Sequence, residues 1–163
     1  MATTALEKNA APAPEAGDIA TFATSARWRT GMRTDVTARQ FSIAVDEPAE
    51  LGGADTAPNP MELLLAGLNG CMAVVIHTIA GEYGAKIRSV VFASKATLDT
   101  RGFLGTADVQ AYFQSVRTRI EIGIDDISDA DFAVFQRAVR NRCPAGSLIE
   151  AADVDFDIDW VRV

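Results

Sequence analysis

Apolar and polar residues along this chain follow two rhythms, a period of two typical of half-buried strands and a period near 3.6 typical of helices. Phe41, Ile43 and Val45 alternate cleanly with polar or small neighbours and stop at Asp46-Glu47-Pro48, which predicts a short strand. Upstream, from Phe22, β-compatible pieces are broken by Gly31, predicting a hairpin turn around Thr30 to Met32. Lys86 to Leu98 reads as a strand presenting Val90, Phe92, Ala96 and Leu98, with a turn at Asp99-Thr100-Arg101-Gly102. Val116, Thr118, Ile120, Ile122 and Ile124 alternate with Arg117, Arg119 and Glu121, as expected of a strand with one buried face. A last strand places Val154, Phe156, Ile158 and Trp160 against Asp153, Asp155, Asp157 and Asp159.

Two segments carry the helical rhythm. At Asn59-Pro60-Met61-Glu62 an N-cap, a proline in the first turn and a glutamate at N3 predict a helix start. The following residues, through Leu68, Cys71, Met72, Ile76 and Ile79 to the glycines 81 and 84, are apolar on nearly every face. Such a helix must be covered by sheet, helix or a partner subunit. Ser128 and Asp131 form a capping pair for a second helix, Ser128 to Asn141, whose inward stripe is Phe132, Phe135 and Val139. Cys143-Pro144 follows, then a short apolar turn at Leu148 and Ile149. The order strands, helix, strands, helix, strand lacks a repeated crossover and predicts an α+β fold, the class built on antiparallel sheets. Residues 1–19, rich in Ala, Pro and Glu, read as a disordered tail, and 20–163 as a single domain.

Composition narrows the function. Asp plus Glu number 22 against 15 Lys plus Arg, a net charge of −7, which argues against a nucleic-acid surface. No run of uninterrupted apolar residues reaches membrane-spanning length, and the first residues lack a basic region followed by an apolar one. A cytoplasmic protein without membrane attachment is expected, in which the two cysteines are reduced thiols or a transient disulfide.

Those cysteines, Cys71 in the apolar helix and Cys143 at the seam before Pro144, are the leading chemical candidates. A thiol can be oxidised to a sulfenic acid, which a second thiol can resolve as a disulfide. A reactive thiolate benefits from a neighbouring cation, and Arg27, Arg29, Arg33 and Arg39 are available, with Arg33 and Arg39 next to polar β-like segments. His77, six positions beyond Cys71, sits about 240° around the helix, so a Cys–His pair within it is disfavoured. Two distant cysteines and one histidine lack zinc spacing, and the alternating aspartates stand roughly 6.8 Å apart along one strand face, too open for an ion cage. No metal and no cofactor is expected.

Three stretches carry a family likeness: DEPAELGGADTAPNPMELLLAGLNGC ending at Cys71, DTRGFLG from Asp99, and NRCPAGSLI around Cys143. Together they resemble the OsmC/Ohr family of thiol-dependent hydroperoxide reductases and their OsmC-like relatives, over Ala26 to Val163. The resemblance implies an intertwined homodimer with long central helices wrapped by sheets. It further implies that Cys71 attacks an apolar organic hydroperoxide and becomes a sulfenic acid, and that Cys143 resolves it as an intramolecular disulfide reopened by a dithiol reductant. It also implies an early arginine beside the thiolate, paired with a glutamate directly after the helix-starting proline. Arg33 best fits that arginine, with Arg29 and Arg39 as alternatives. Met61 stands at the glutamate position; Glu62, one residue later, is the candidate replacement, turned by about 100°. Two functions fit this pattern: a peroxidase using Cys71, Cys143, Arg33 and Glu62, or an OsmC-like binder of hydrophobic ligands or redox sensor without turnover.

Overall fold

The computed structural model describes residues 13–15 and 17–163, so most of the expected N-terminal tail lies outside the described residues. Residues up to Ala57 and residues Pro58–Val163 form two compact units.

In the first unit three strands, β1 (Ser25–Thr30), β2 (Arg33–Ala38) and β3 (Phe41–Val45), form an antiparallel meander in sequence order. The β1–β2 turn falls where the glycine placed it: Gly31 adopts φ +54°, a left-handed conformation that costs glycine nothing. After β3 the chain makes a single 3-10 turn at Ala49–Leu51 and folds back through a loop held by the Asp46 carboxylate. Asp46 is the one buried residue among the described residues of this unit. The loop passes so close to itself at Gly53 that a Cβ there would lie 1.7 Å from the Glu47 carbonyl oxygen.

The second unit opens with α1 (Pro60–Tyr83). Asn59 accepts from the Glu62 amide and the Glu62 carboxylate accepts from the Asn59 amide, each at 2.9 Å, completing the capping box. Gly84, left-handed at φ 67°, ends the helix. The remaining elements are β4 (Lys86–Leu98), α2 (Thr100–Leu104), β5 (Phe113–Asp125), α3 (Asp129–Arg142), α4 (Pro144–Ala151) and β6 (Asp155–Arg162). The expected turn at Asp99 is the cap of α2, and the expected apolar turn at Leu148 and Ile149 is part of α4. In the second sheet, ordered β4-β5-β6, β4 and β5 pair antiparallel as expected, whereas β6 lies parallel to β5. Parallel neighbours require a long crossover, and the segment carrying α3 and α4 supplies it.

α1 packs on β4, α3 and α4. Leu68, Met72, Ile76 and Ile79 of α1 are buried with Val116, Ile120 and Ile122 of β5 and Phe135 and Val139 of α3. Each such large side chain removed from water contributes about 1.5–3 kcal/mol before chain entropy is counted. Among the described residues, α1 is the one helix long and apolar enough to cross a membrane by length and composition alone, yet one side of it is built into this core. Within this chain its other side is open, with Leu64 and Val74 58% and 67% exposed. A polar chain also ties it to the sheet: Ser94 Oγ donates to Asn69 Oδ1 at 2.5 Å and lies 2.9 Å from Thr118 Oγ1.

Candidate functional site

The crossover sets the position of Cys143. α3 ends at Arg142, and the residue before a proline is steered out of helical conformation; Cys143 is extended at φ −82°, ψ 109°. It closes α3 and at once caps α4, where Pro144 occupies the first turn and the Cys143 sulfur accepts from the Gly146 amide at 3.4 Å. A Cβ at Gly146 would meet its neighbours at ordinary van der Waals distance, 3.4 Å from the Phe156 ring and 3.6 Å from Cys143 Sγ, so the junction is closely packed.

This junction packs against α1 where Cys71 sits between Leu68 and Met72. The Cys143 thiol donates to Cys71 Sγ across 3.4 Å, with both residues free thiols. The two sulfurs are unequal. Cys143 is fully buried, and that burial, only partly offset by the Gly146 amide, pushes its thiol up to about 11. Cys71 is half-buried, more open than its apolar helix suggested. The proton held on Cys143 is directed at Cys71, which leaves the more accessible sulfur as the acceptor of the pair. Closing the gap to a disulfide, near 2.0 Å, needs a shift of little more than an ångström.

The other sequence candidates have partners of their own. Glu62 precedes Cys71 by nine positions, which places it about 13 Å along the helix axis and on the opposite side. Within this chain its carboxylate serves the capping box and is not brought to the thiol. Met61, 38% exposed, is an uncharged thioether with nothing to offer a guanidinium. Arg33 belongs to the first unit, where its Nε donates to Asp35 at 3.3 Å and its Nη1 to Thr56 Oγ1 at 2.7 Å. Arg29 also donates to Asp35, at 2.7 Å, and Arg39 stacks its guanidinium 5.2 Å from the Phe41 ring centre. His77 is exposed on α1. The aspartates of β6 are exposed, and two of them are ion-paired, Asp155 with Arg117 and Asp159 with Arg119, so this face is a solvated, partly salt-bridged sheet surface. Two residues that the sequence did not single out, Asp46 and Thr56, surround Arg33; only the position of Asp46 at the end of a strand and before Glu47-Pro48 hinted at a loop anchor.

The fold and the paired thiols define a class. A family model for OsmC-like proteins matches residues 52–159, and the chain belongs to this OsmC/Ohr family. The structure is similar to the OsmC-like protein of Mycoplasma pneumoniae, at 18% identity and TM-score 0.74 over 87% of this chain and 98% of that one. It is also similar to the organic hydroperoxide resistance protein OsmC of Legionella pneumophila, at 19% identity and TM-score 0.65 over 88% and 98%. For the organic hydroperoxide resistance protein OhrB of Bacillus subtilis the values are 18% and 0.58, over 86% and 97%. At these identities the likeness is one of fold. No curated protein matches the sequence.

Proposed function

We propose that this protein reduces organic hydroperoxides to alcohols through Cys71 and Cys143. The observation that carries the reading is the 3.4 Å approach of a half-buried and a fully buried thiol. The Cys71 thiolate attacks the terminal oxygen of the hydroperoxide; the S–O bond forms as the O–O bond breaks, and the alkoxide leaves and takes a proton to become the alcohol. Sulfur has then lost two electrons, as a sulfenic acid. Cys143 attacks that sulfur, the S–O bond breaks, and hydroxide leaves with the Cys143 proton as water. A dithiol returns two electrons and two protons by exchange, is itself left as a disulfide, and regenerates both thiols. Arg33 is retained as the thiolate-stabilising cation on the strength of the family resemblance, and Glu62, the helix cap, as the candidate replacement for the glutamate that the resemblance implies where Met61 stands. Thiols that must be reduced between turnovers fit a reducing compartment such as the cytoplasm.

A homodimer belongs to the same proposal. Leu64 and Val74, exposed on α1, supply an apolar surface of the kind a second copy covers. A solution mass of one chain at working concentration would refute it.

The decisive assay supplies reduced protein with tert-butyl hydroperoxide and excess dithiothreitol and follows alcohol formation. Repeated turnover, abolished by Cys71→Ser, is expected; a rate no higher than that of free dithiothreitol refutes the peroxidase. One equivalent of disulfide without further turnover would instead support a redox sensor, the reading favoured by Met61.

A further inference from the structure

Asp46 is 1% exposed, and its carboxylate accepts four hydrogen bonds: from the amides of Glu47 (2.9 Å), Ala54 (3.3 Å) and Thr56 (3.1 Å), and from the Thr56 hydroxyl (2.8 Å). Those bonds hold the carboxyl below the usual carboxylate range, the Thr56 hydroxyl acting most strongly. A hydroxyl has one proton, and Thr56 gives it to Asp46. Its oxygen lone pairs are thereby turned outward, and Arg33 Nη1 donates into them at 2.7 Å. On the other side Arg33 Nε reaches Asp35, which Arg29 also holds. Two of the five guanidinium donors are thus fixed, and the group borders a cavity of about 360 Å³ lined by Met32, Arg33, Asp46, Gly53 and Thr56.

We infer that Asp46 and Thr56 are positioning residues for Arg33: a buried carboxylate orients a hydroxyl, and the hydroxyl orients the guanidinium so that its remaining donors face the cavity. An arginine on a strand otherwise samples many rotamers, and a fixed fork loses less freedom when it binds an anion or a polar oxygen. A loop-shaping role alone accounts for the three amide bonds to Asp46 but requires no hydroxyl aimed at an arginine. For catalysis the inference rests on the function proposed above; for the order of the Arg33 side chain it stands alone.

The test compares wild type with Thr56→Val, which keeps the shape and removes the hydroxyl, and Thr56→Ser, which keeps the hydroxyl. The Arg33 Nη–H signals in low-temperature NMR spectra, assigned with Arg33→Lys, should be resolved and exchange-protected in wild type and Thr56→Ser and averaged or lost in Thr56→Val, which removes the acceptor of Nη1. The kcat/KM for tert-butyl hydroperoxide should fall about tenfold or more in Thr56→Val, as expected for a lost hydrogen bond to a charged group, and largely recover in Thr56→Ser. An Arg33 signal unchanged in Thr56→Val, or equal losses in both variants, overturns the inference. Absence of turnover in wild type would refute the proposed function, while the Arg33 signal would still decide the clamp.

Discussion

Substituting Cys71→Ser isolates Cys143 as the only thiol and allows its burial to be measured as chemistry. The folded protein holds Cys143 at about 11 against an ordinary 9.0, with burial the largest cause. Serine removes the neighbouring sulfur but leaves that burial and the Gly146 amide in place. An upward displacement of about two units lowers the thiolate fraction near neutral pH by about a hundredfold, apart from any steric barrier. Iodoacetamide should therefore alkylate Cys143 in the native variant far more slowly than an unstructured peptide cysteine, by a factor that approaches about a hundred and is reduced by the lost upward push of the Cys71 sulfur, with the rate still climbing around pH 10. Ultraviolet thiolate absorbance should give the same midpoint. A midpoint at or below 9.0, or alkylation at the peptide rate, would refute the placement of Cys143 as a buried thiol that keeps its proton until it resolves Cys71. The shift also affects stability. The unfolded thiol ionises first as pH rises, so between 9.0 and about 11 the folded state retains the extra proton and loses stability with increasing pH. The full loss is about 2–3 kcal/mol and should be absent from Cys143→Ala.

Gly53→Ala should cost more than about 2 kcal/mol in denaturant unfolding, because its Cβ would lie 1.7 Å from the Glu47 carbonyl oxygen and backbone must move; a change below about 0.5 kcal/mol would contradict the loop geometry. Phe135 is fully buried and its ring meets those of Tyr83, Phe132 and Trp160 at 6.4, 5.8 and 6.1 Å, so Phe135→Ala should lose about 3–5 kcal/mol. A loss typical of a surface site would show that this cluster does not hold α3 in place. Hydrogen bonds to the anion make the Asp46 carboxyl a stronger acid when folded, so its contribution is present above the ordinary carboxylate range and is lost as pH falls through the folded value. Asp46→Asn should flatten the acid limb of a stability–pH curve; an unchanged slope would count against its hydrogen-bonded anionic state.

Strands β3 and β4 were legible because one face of each carries apolar residues at a period of two, broken in β4 by Ser94, and α1 because its cap, proline and terminal glycine all agree. α2 was hidden because its five residues are too few to display a helical period; Gly102 packs there with its Cβ direction 2.7 Å from the Val109 carbonyl oxygen. The parallel docking of β6 was also hidden, since alternation marks a strand's faces and not the direction of its neighbour. The thiol pair divides the same way. The residue types were visible and Cys143 could be set at a helix boundary before proline, but the 3.4 Å approach depends on the crossover that packs that boundary on α1. The Asp46–Thr56 pair escaped notice because burial of a carboxylate in a polar loop leaves no periodic trace.

The central claim is that Cys71 and Cys143 of one chain exchange thiols for a disulfide when an organic hydroperoxide is reduced. Reduced protein should be treated with one equivalent of tert-butyl hydroperoxide, blocked with an alkylating agent, digested without reductant and mapped by mass spectrometry. The account predicts one molecule of alcohol per pair of thiols lost, a Cys71–Cys143 linkage lighter by two hydrogen atoms, and persistent Cys71 sulfenic acid in Cys143→Ser. Consumption of the hydroperoxide with both thiols still open to the alkylating agent, or a linkage joining two chains, would contradict it.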